Sequence, residues 1–426
     1  MEPMKNWPKE RLAESARELA QEYEEFQKRG LKLNMSRGVP GTEQLDMCEG
    51  ILTVLQTNED CMCGGVDTRN YGGLDGLPGA KKLFADILRL QPENIIVGGN
   101  SSLNLMYDAV ARAMTHGVVG SEKPWCECPG RKFLCPVPGY DRHFAVTEHF
   151  GFEMINIPMD ENGPDMDMVE RLVAADADIK GIWCVPKYSN PSGIVYSDET
   201  IRRLAGLKPA APDFRIFYDN AYVVHHLTDE RIEIANIFDY AREAGNENIV
   251  FEFASTSKFC FPGAGISCIA ASLENVGLIK AQMFYQTIGP DKLNQLRHIR
   301  FFENLEAVHS HMQKQAAILK PKFDAVLSAL NNELRGLGIG SWTEPKGGYF
   351  VSFDTMPGCA KRTVQLMKEA GVIMTSAGAT YPYQNDPEDK NIRIAPSFPP
   401  VSELQTAMHL FCLCVKRAAI EKLMKD

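Results

Sequence analysis

The sequence has no apolar run long enough to cross a bilayer, and its most apolar regions are interrupted by Asn104, Asp108 and Arg112. Basic charge is in deficit: 45 Lys and Arg face 55 Asp and Glu, a formal net charge of −10. That balance disfavours a general nucleic-acid binder, which needs a basic face to displace counterions. Internal repeats and low-complexity linkers are lacking. The opening segment Met1–Arg29 is charged and reads as an amphipathic helix, without the apolar centre of a signal peptide. The two-residue cysteine spacing of zinc knuckles is absent. Cys61/Cys63 and Cys126/Cys128, with Cys135 nearby, therefore predict thiols and no metal site. Twelve cysteines without an export signal predict a reducing, cytoplasmic setting with no membrane partner.

At 426 residues the chain is long for one core and suits two lobes. Its 44% hydrophobic and 23% charged residues exclude wholesale disorder. Short apolar runs at Ile95–Val97, Ile155–Ile157, Gly181–Val185, Arg215–Tyr218, Ile249–Phe253 and Ile266–Ala270 alternate with helical patterns, as strands buried on both faces of a mostly parallel sheet would. Leu103, Met106, Val110 and Ala113 recur at helical spacing behind a cap-like Asn100-Ser101-Ser102. Residues 291–335 predict one long helix, kinked or broken near Pro321. Tyr349–Phe353 predicts a strand, and Ser402–Lys425 a closing amphipathic helix.

Four motifs fall at strand-to-helix junctions, the edge of an open parallel sheet where ligands bind. Gly98-Gly99-Asn100-Ser101-Ser102 runs through glycines into a helix start, where free amides and hydroxyls can cradle a phosphate. Val185–Gly193 contains Asn190-Pro191, a turn able to aim an amide into a cleft. Tyr218-Asp219-Asn220-Ala221-Tyr222 offers a carboxylate able to hold a proton on a pyridine nitrogen, and a phenol three residues later. Ser255-Thr256-Ser257-Lys258 places a lysine at a strand end, where burial would lower its pKa for Schiff-base chemistry. Each motif alone is commonplace. Their joint occurrence in this order is specific.

With Ser36–Pro40 (Ser-Arg-Gly-Val-Pro), the Asn-Ser-Ser-Leu-Asn-Leu-Met-Tyr-Asp run and the Pro-Gly-Ala-Gly after the lysine, the sequence resembles class I aminotransferases of fold type I. Within them it looks like the aspartate aminotransferase subgroup Ic, over nearly the whole chain. The resemblance implies an α/β fold. Residues 61–325 would form a large domain with a mostly parallel seven-stranded sheet flanked by helices, and 1–60 with 326–426 a smaller α+β domain.

The resemblance also implies pyridoxal 5'-phosphate as cofactor. Lys258 would hold it as a Schiff base and shuttle the substrate Cα proton; Asp219 would pair with the ring nitrogen, with His143 behind it. Tyr222 and Asn190 would meet the ring hydroxyl, and Tyr140 would stack on the ring. Ser101, Ser102 and Ser255 would bind the phosphate, with Tyr71 reaching across from a second subunit of a homodimer. Arg393, in Asn391-Ile392-Arg393-Ile394-Ala395, would clamp the substrate α-carboxylate, since a guanidinium fork binds carboxylate bidentately. Gly38 and Asn190 would line the substrate site, with Arg37 taking the distal carboxylate.

One departure stands out: Gly265 occupies the place where many relatives carry an arginine facing the phosphate, and Lys292 or Arg297 are the candidates to replace it. The activity implied is transamination between L-aspartate and 2-oxoglutarate, by a ping-pong cycle. Two alternatives follow: an aminotransferase or β-lyase for another amino acid, or a non-catalytic ligand-sensing module. About 30 residues precede the first family motif, too few for the DNA-binding domain such a sensor carries.

Overall fold

The computed structural model describes residues 2–425, so Met1 of the expected first helix lies outside the described residues. Its centre is a sheet in the order Ile95–Gly98, Ser267–Ala270, Val250–Ser255, Arg215–Asp219, Ile179–Cys184, Lys132–Val137, Glu153–Asp160. A two-residue strand, Gly163–Pro164, adds an eighth member at the edge beside Glu153–Asp160. Among the first seven, Ser267–Ala270 alone runs antiparallel to its neighbours. The strand Lys132–Val137 has no counterpart among the predicted strands. Its Pro136 reads as a breaker, yet only one backbone N–H is lost and the strand stays buried.

Alternation along the strands sorts side chains to the two faces. Val97, Leu134, Ile182, Ile216 and Tyr218 enter one core, while Ile96, Phe133, Trp183, Phe217 and Phe253 enter the other. Asp219 follows Phe217 at period two and so projects on the Trp183 side. At the opposite ends of these strands, a buried ion pair fixes the register: Lys180 Nζ donates to Asp213 Oδ1 at 2.9 Å. Trp125 Nε1 and Ser121 Oγ both donate to Asp213 Oδ2, at 3.0 and 3.1 Å.

The chain ends build a third core. Tyr23 and Phe26 of the helix Lys9–Lys28 join Leu366, Phe411 and Val415, and the helix Val401–Leu423 packs against Leu305–Leu334. An antiparallel sheet of Gly340–Trp342, Val351–Thr355 and Asn391–Ile394 sets Arg393 opposite Ser352. The long helix expected over 291–335 is two helices, Lys292–Phe302 and Leu305–Leu334. The break lies at Glu303, with φ 51°, and Asn304 Oδ1 caps the second helix by accepting from the Ala307 amide at 2.9 Å. Pro321 sits inside the second helix without ending it. Among the described residues, no helix is long and apolar enough to cross a membrane.

Replacing Asp213 by alanine would leave Lys180 buried and unpaired. Chemical denaturation of Asp213→Ala should show a stability loss of about 3–5 kcal/mol; a loss below about 1 kcal/mol would mean the pair does not hold these strands.

Candidate active site

The strand ends converge on a cavity of about 130 Å³ lined by Ser101, Ser102, Tyr140, Asn190, Asp219, Tyr222, Ser255 and Lys258, together with Ser257 and four apolar neighbours. The convergence follows from topology. Gly98, Ser267 and Ser255 lie side by side in register, and Phe253 pairs with Asp219, so the residues just beyond these ends share one edge.

Lys258 leaves the turn after Val250–Ser255, and its Nζ lies 5.4 Å from the centre of the Tyr222 ring and 5.2 Å from that of Tyr349. Its Nζ donates to the Gly38 carbonyl at 3.5 Å. Burial pushes its amine down to about 8; Asp219 opposes the shift and Arg393 adds to it.

Asp219 is only 3% exposed. Its Oδ2 accepts from His143 Nε2 at 3.0 Å, a contact that places a proton on that nitrogen. His143 is held flat against Trp183, with ring centres 4.4 Å apart, and meets Tyr140 edge-on at 4.9 Å. Asp219 Oδ1 is buried without a partner. A carboxylate oxygen left bare inside a cavity is costly unless a donor arrives, and the N–H of a pyridinium ring supplies one. The phosphate end fits as well. Ser101 stands at the N-cap of the helix Ser102–His116 but makes no side-chain cap hydrogen bond, which leaves its hydroxyl free beside the first-turn amides. These residues fit pyridoxal phosphate.

No arginine can stand at Gly265 without rearrangement, because a Cβ there would lie 2.9 Å from Thr256 Oγ1 and 3.2 Å from the Phe261 carbonyl. Neither Lys292 nor Arg297 lines the cavity. Lys292 Nζ donates instead to the Gly72 carbonyl at 2.7 Å, tying down the loop beside Tyr71. Tyr71 is 83% exposed and also lies outside the cavity of its own chain.

Arg393 is buried at the inner end of an adjoining cavity of about 410 Å³, which Arg37 and Arg142 also line. Its Nη1 donates to Asp141 Oδ1 at 2.7 Å and Asn190 Oδ1 at 3.3 Å, its Nη2 donates to Thr375 Oγ1 at 3.4 Å, and Nε is left without a partner. The Phe350 ring lies 4.9 Å from the guanidinium carbon. Asn190-Pro191 is cis. Gly38 must lack a side chain, because a Cβ there would collide with the Phe350 ring.

The sequence reading missed Asp141, Trp183, Ser257, Tyr349, Phe350 and Arg142. Ser257 sits inside the Ser255–Lys258 motif, and Asp141 and Arg142 lie between Tyr140 and His143, so these three were within reach. Nothing in the local sequence marks Trp183, Tyr349 or Phe350, whose partners lie far along the chain.

The family model described as aspartate amino-transferase matches residues 8–426. The chain is 44% identical over 418 residues to an aspartate aminotransferase of Corynebacterium glutamicum, covering 98% of this chain and 96% of that one. It is 50% identical over 406 residues to a Mycolicibacterium smegmatis protein provisionally named an aminotransferase, covering 95% of each. The crystal structure of an aspartate transaminase from Corynebacterium glutamicum superposes with a TM-score of 0.96 at 44% identity, covering 99% of both chains. Family model, relatives and fold agree: the chain belongs to the aspartate aminotransferase family, a pyridoxal-phosphate-dependent aminotransferase of fold type I.

Proposed function

We propose that this aminotransferase moves an amino group from L-aspartate to 2-oxoglutarate, giving oxaloacetate and L-glutamate by a ping-pong cycle. The observation that carries the reading is the 410 Å³ cavity lined by Arg37, Arg142 and Arg393, since a dicarboxylate needs two cations spaced along one cleft. The name of the Corynebacterium glutamicum relative supports it.

When bound, the cofactor supplies an aldehyde for amines and a ring that accepts the electron pair released at the substrate Cα. Lys258 would be the amine that holds it and, when free, the base that takes the proton from the substrate Cα. Asp219 Oδ1 would meet the ring nitrogen's N–H, and His143 keeps the Asp219 carboxyl aimed. Tyr222 and Asn190 would hold the ring hydroxyl, Tyr140 would stack on the ring, and Ser101, Ser102 and Ser255 would receive the phosphate, since all six line the cavity. Ser257 Oγ, which donates to the Asn100 carbonyl at 2.8 Å, braces the serine cup. Arg393 orients the α-carboxylate so that the Cα–H bond faces Lys258, with Gly38 and Asn190 as walls. Arg37 binds the distal carboxylate.

The functional unit we propose is a homodimer. Tyr71 shares the surface with Phe284 (72% exposed), Tyr285 (89%) and Ile288 (64%), and a Cβ on Gly289 would lie 2.6 Å from the Gly72 carbonyl, so the two loops touch. An apolar patch of that kind suits a partner subunit, whose phosphate Tyr71 would reach. The working division is a large domain of 61–325 and a small one of 1–60 with 326–426, the substrate lying between them.

Arg37→Ala should raise KM for aspartate about tenfold, roughly 1.4 kcal/mol, and leave KM for alanine nearly unchanged. Steady-state kinetics that show equal increases for both donors would remove Arg37 from the distal site. Only the neutral amine attacks an aldehyde. Capture of the cofactor by the apoenzyme should therefore quicken as pH rises and level off above about 8, whereas an ordinary lysine would keep gaining to about 10.4. Stopped-flow absorbance over pH 6–10 distinguishes the two, and a rate still climbing at pH 10 contradicts the buried-amine account.

A further inference from the structure

Outside the groups already given a role, one buried hydrogen-bonded chain leads straight to the backbone of Lys258. Tyr349 is 1% exposed, and its hydroxyl donates to the Lys258 carbonyl at 2.7 Å. The same hydroxyl accepts from Gln44 Nε2 at 3.0 Å. Gln44 Nε2 spends its second hydrogen on Gln315 Oε1 at 2.6 Å, and Gln44 Oε1 accepts from the Gly41 amide at 3.1 Å. Gln315 Nε2 returns a hydrogen bond to the Gln44 carbonyl at 3.2 Å. One residue on from the lysine, the Phe259 carbonyl accepts from His311 Nε2 at 2.7 Å.

Three distant segments thus hold two successive carbonyls around the lysine: the one following the Ser36–Pro40 loop, the helix Leu305–Leu334, and the approach to strand Val351–Thr355. Tyr349 also presents its ring to Lys258 Nζ at 5.2 Å, so a single side chain brackets both ends of the lysine. Burial raises its phenol far above the usual range, which keeps it protonated as a donor.

We propose that Tyr349 is a positioning residue for Lys258 and that Gln44 couples it to the loop bearing Arg37 and Gly38. Main-chain anchoring confines the lysine's travel to its side-chain torsions, so that Nζ returns to one place whenever it is displaced. The Gln44 link makes that anchoring depend on the substrate-side loop being packed. The inference rests on Lys258 being the cofactor-holding amine.

The test uses the holoenzyme. Tyr349→Phe keeps the ring and removes the donor. It should lower kcat with aspartate about tenfold, leave KM within about twofold, and shift by at least about 0.3 unit the pH midpoint of the visible absorbance of the lysine-bound cofactor. Gln44→Leu should act in the same direction to a smaller extent. The double variant should be no slower than Tyr349→Phe alone, because both act through one hydroxyl. A lower melting temperature with kcat and midpoint at parental values would overturn the proposal, as would losses in the double variant that multiply. If Tyr349→Phe does not accumulate as folded protein, the midpoint of Gln44→Leu decides alone. Lys258→Ala separates the two levels: persistence of the lysine-bound band in that variant defeats the reading of Lys258 itself, whereas Tyr349→Phe should keep the band.

Discussion

The chemistry depends on one constraint: a lysine amine and a carboxylate must share one buried cavity without neutralising each other. Parallel neighbours supply the spacing. Asp219 ends one strand and Lys258 follows the end of the next, so both reach the same edge of the sheet. They are kept apart by different partners. Asp219 is tied to His143, while Lys258 rests between the Tyr222 and Tyr349 rings. Burial then lowers the amine toward neutrality and leaves Asp219 Oδ1 without a donor. A buried amine and a buried carboxylate oxygen without a donor are both costly, and a protonated pyridine ring bearing an aldehyde would relieve both at once.

The substrate side follows from the same edge. Asn190 lies beyond the end of Ile179–Cys184, and its amide oxygen meets Arg393, which the small antiparallel sheet carries in from the far end of the chain. Asp141 and Phe350 hold that guanidinium in place. Arg393 therefore touches groups from both the central sheet and the smaller one, and the cavity it shares with Arg37 lies where they meet.

Much of this was legible in the sequence because the fold repeats one local event. An apolar strand ends and a small or polar cluster follows, as at the Asn100, Asn190, Asp219 and Lys258 motifs; of these four, the Asn100 motif alone runs directly into a helix, and after Lys258 the chain returns as the antiparallel strand Ser267–Ala270 instead of the expected helix. His143 could be named because it lies three residues after Tyr140, in Pro138-Gly139-Tyr140-Asp141-Arg142-His143, and it does reach Asp219. What escaped was long-range. Trp183 looks like any core aromatic until it stacks on His143, and Tyr349 looks like a strand residue until its hydroxyl reaches a carbonyl 91 positions away. Pro321 drew the predicted break because a proline normally ends a helix, yet that helix runs on through it. The real break lies at Glu303 and the Asn304 cap, a weaker sequence signal than a proline because a capping Asn decides where a helix starts only once the chain before it has left the helix.

The most direct measurement is borohydride reduction of the holoenzyme followed by proteolysis and mass spectrometry. The account predicts a phosphopyridoxyl group on Lys258 and on no other lysine. Labelling confined to another position, such as Lys187 or Lys292, would contradict it, as would reduced protein that carries no label.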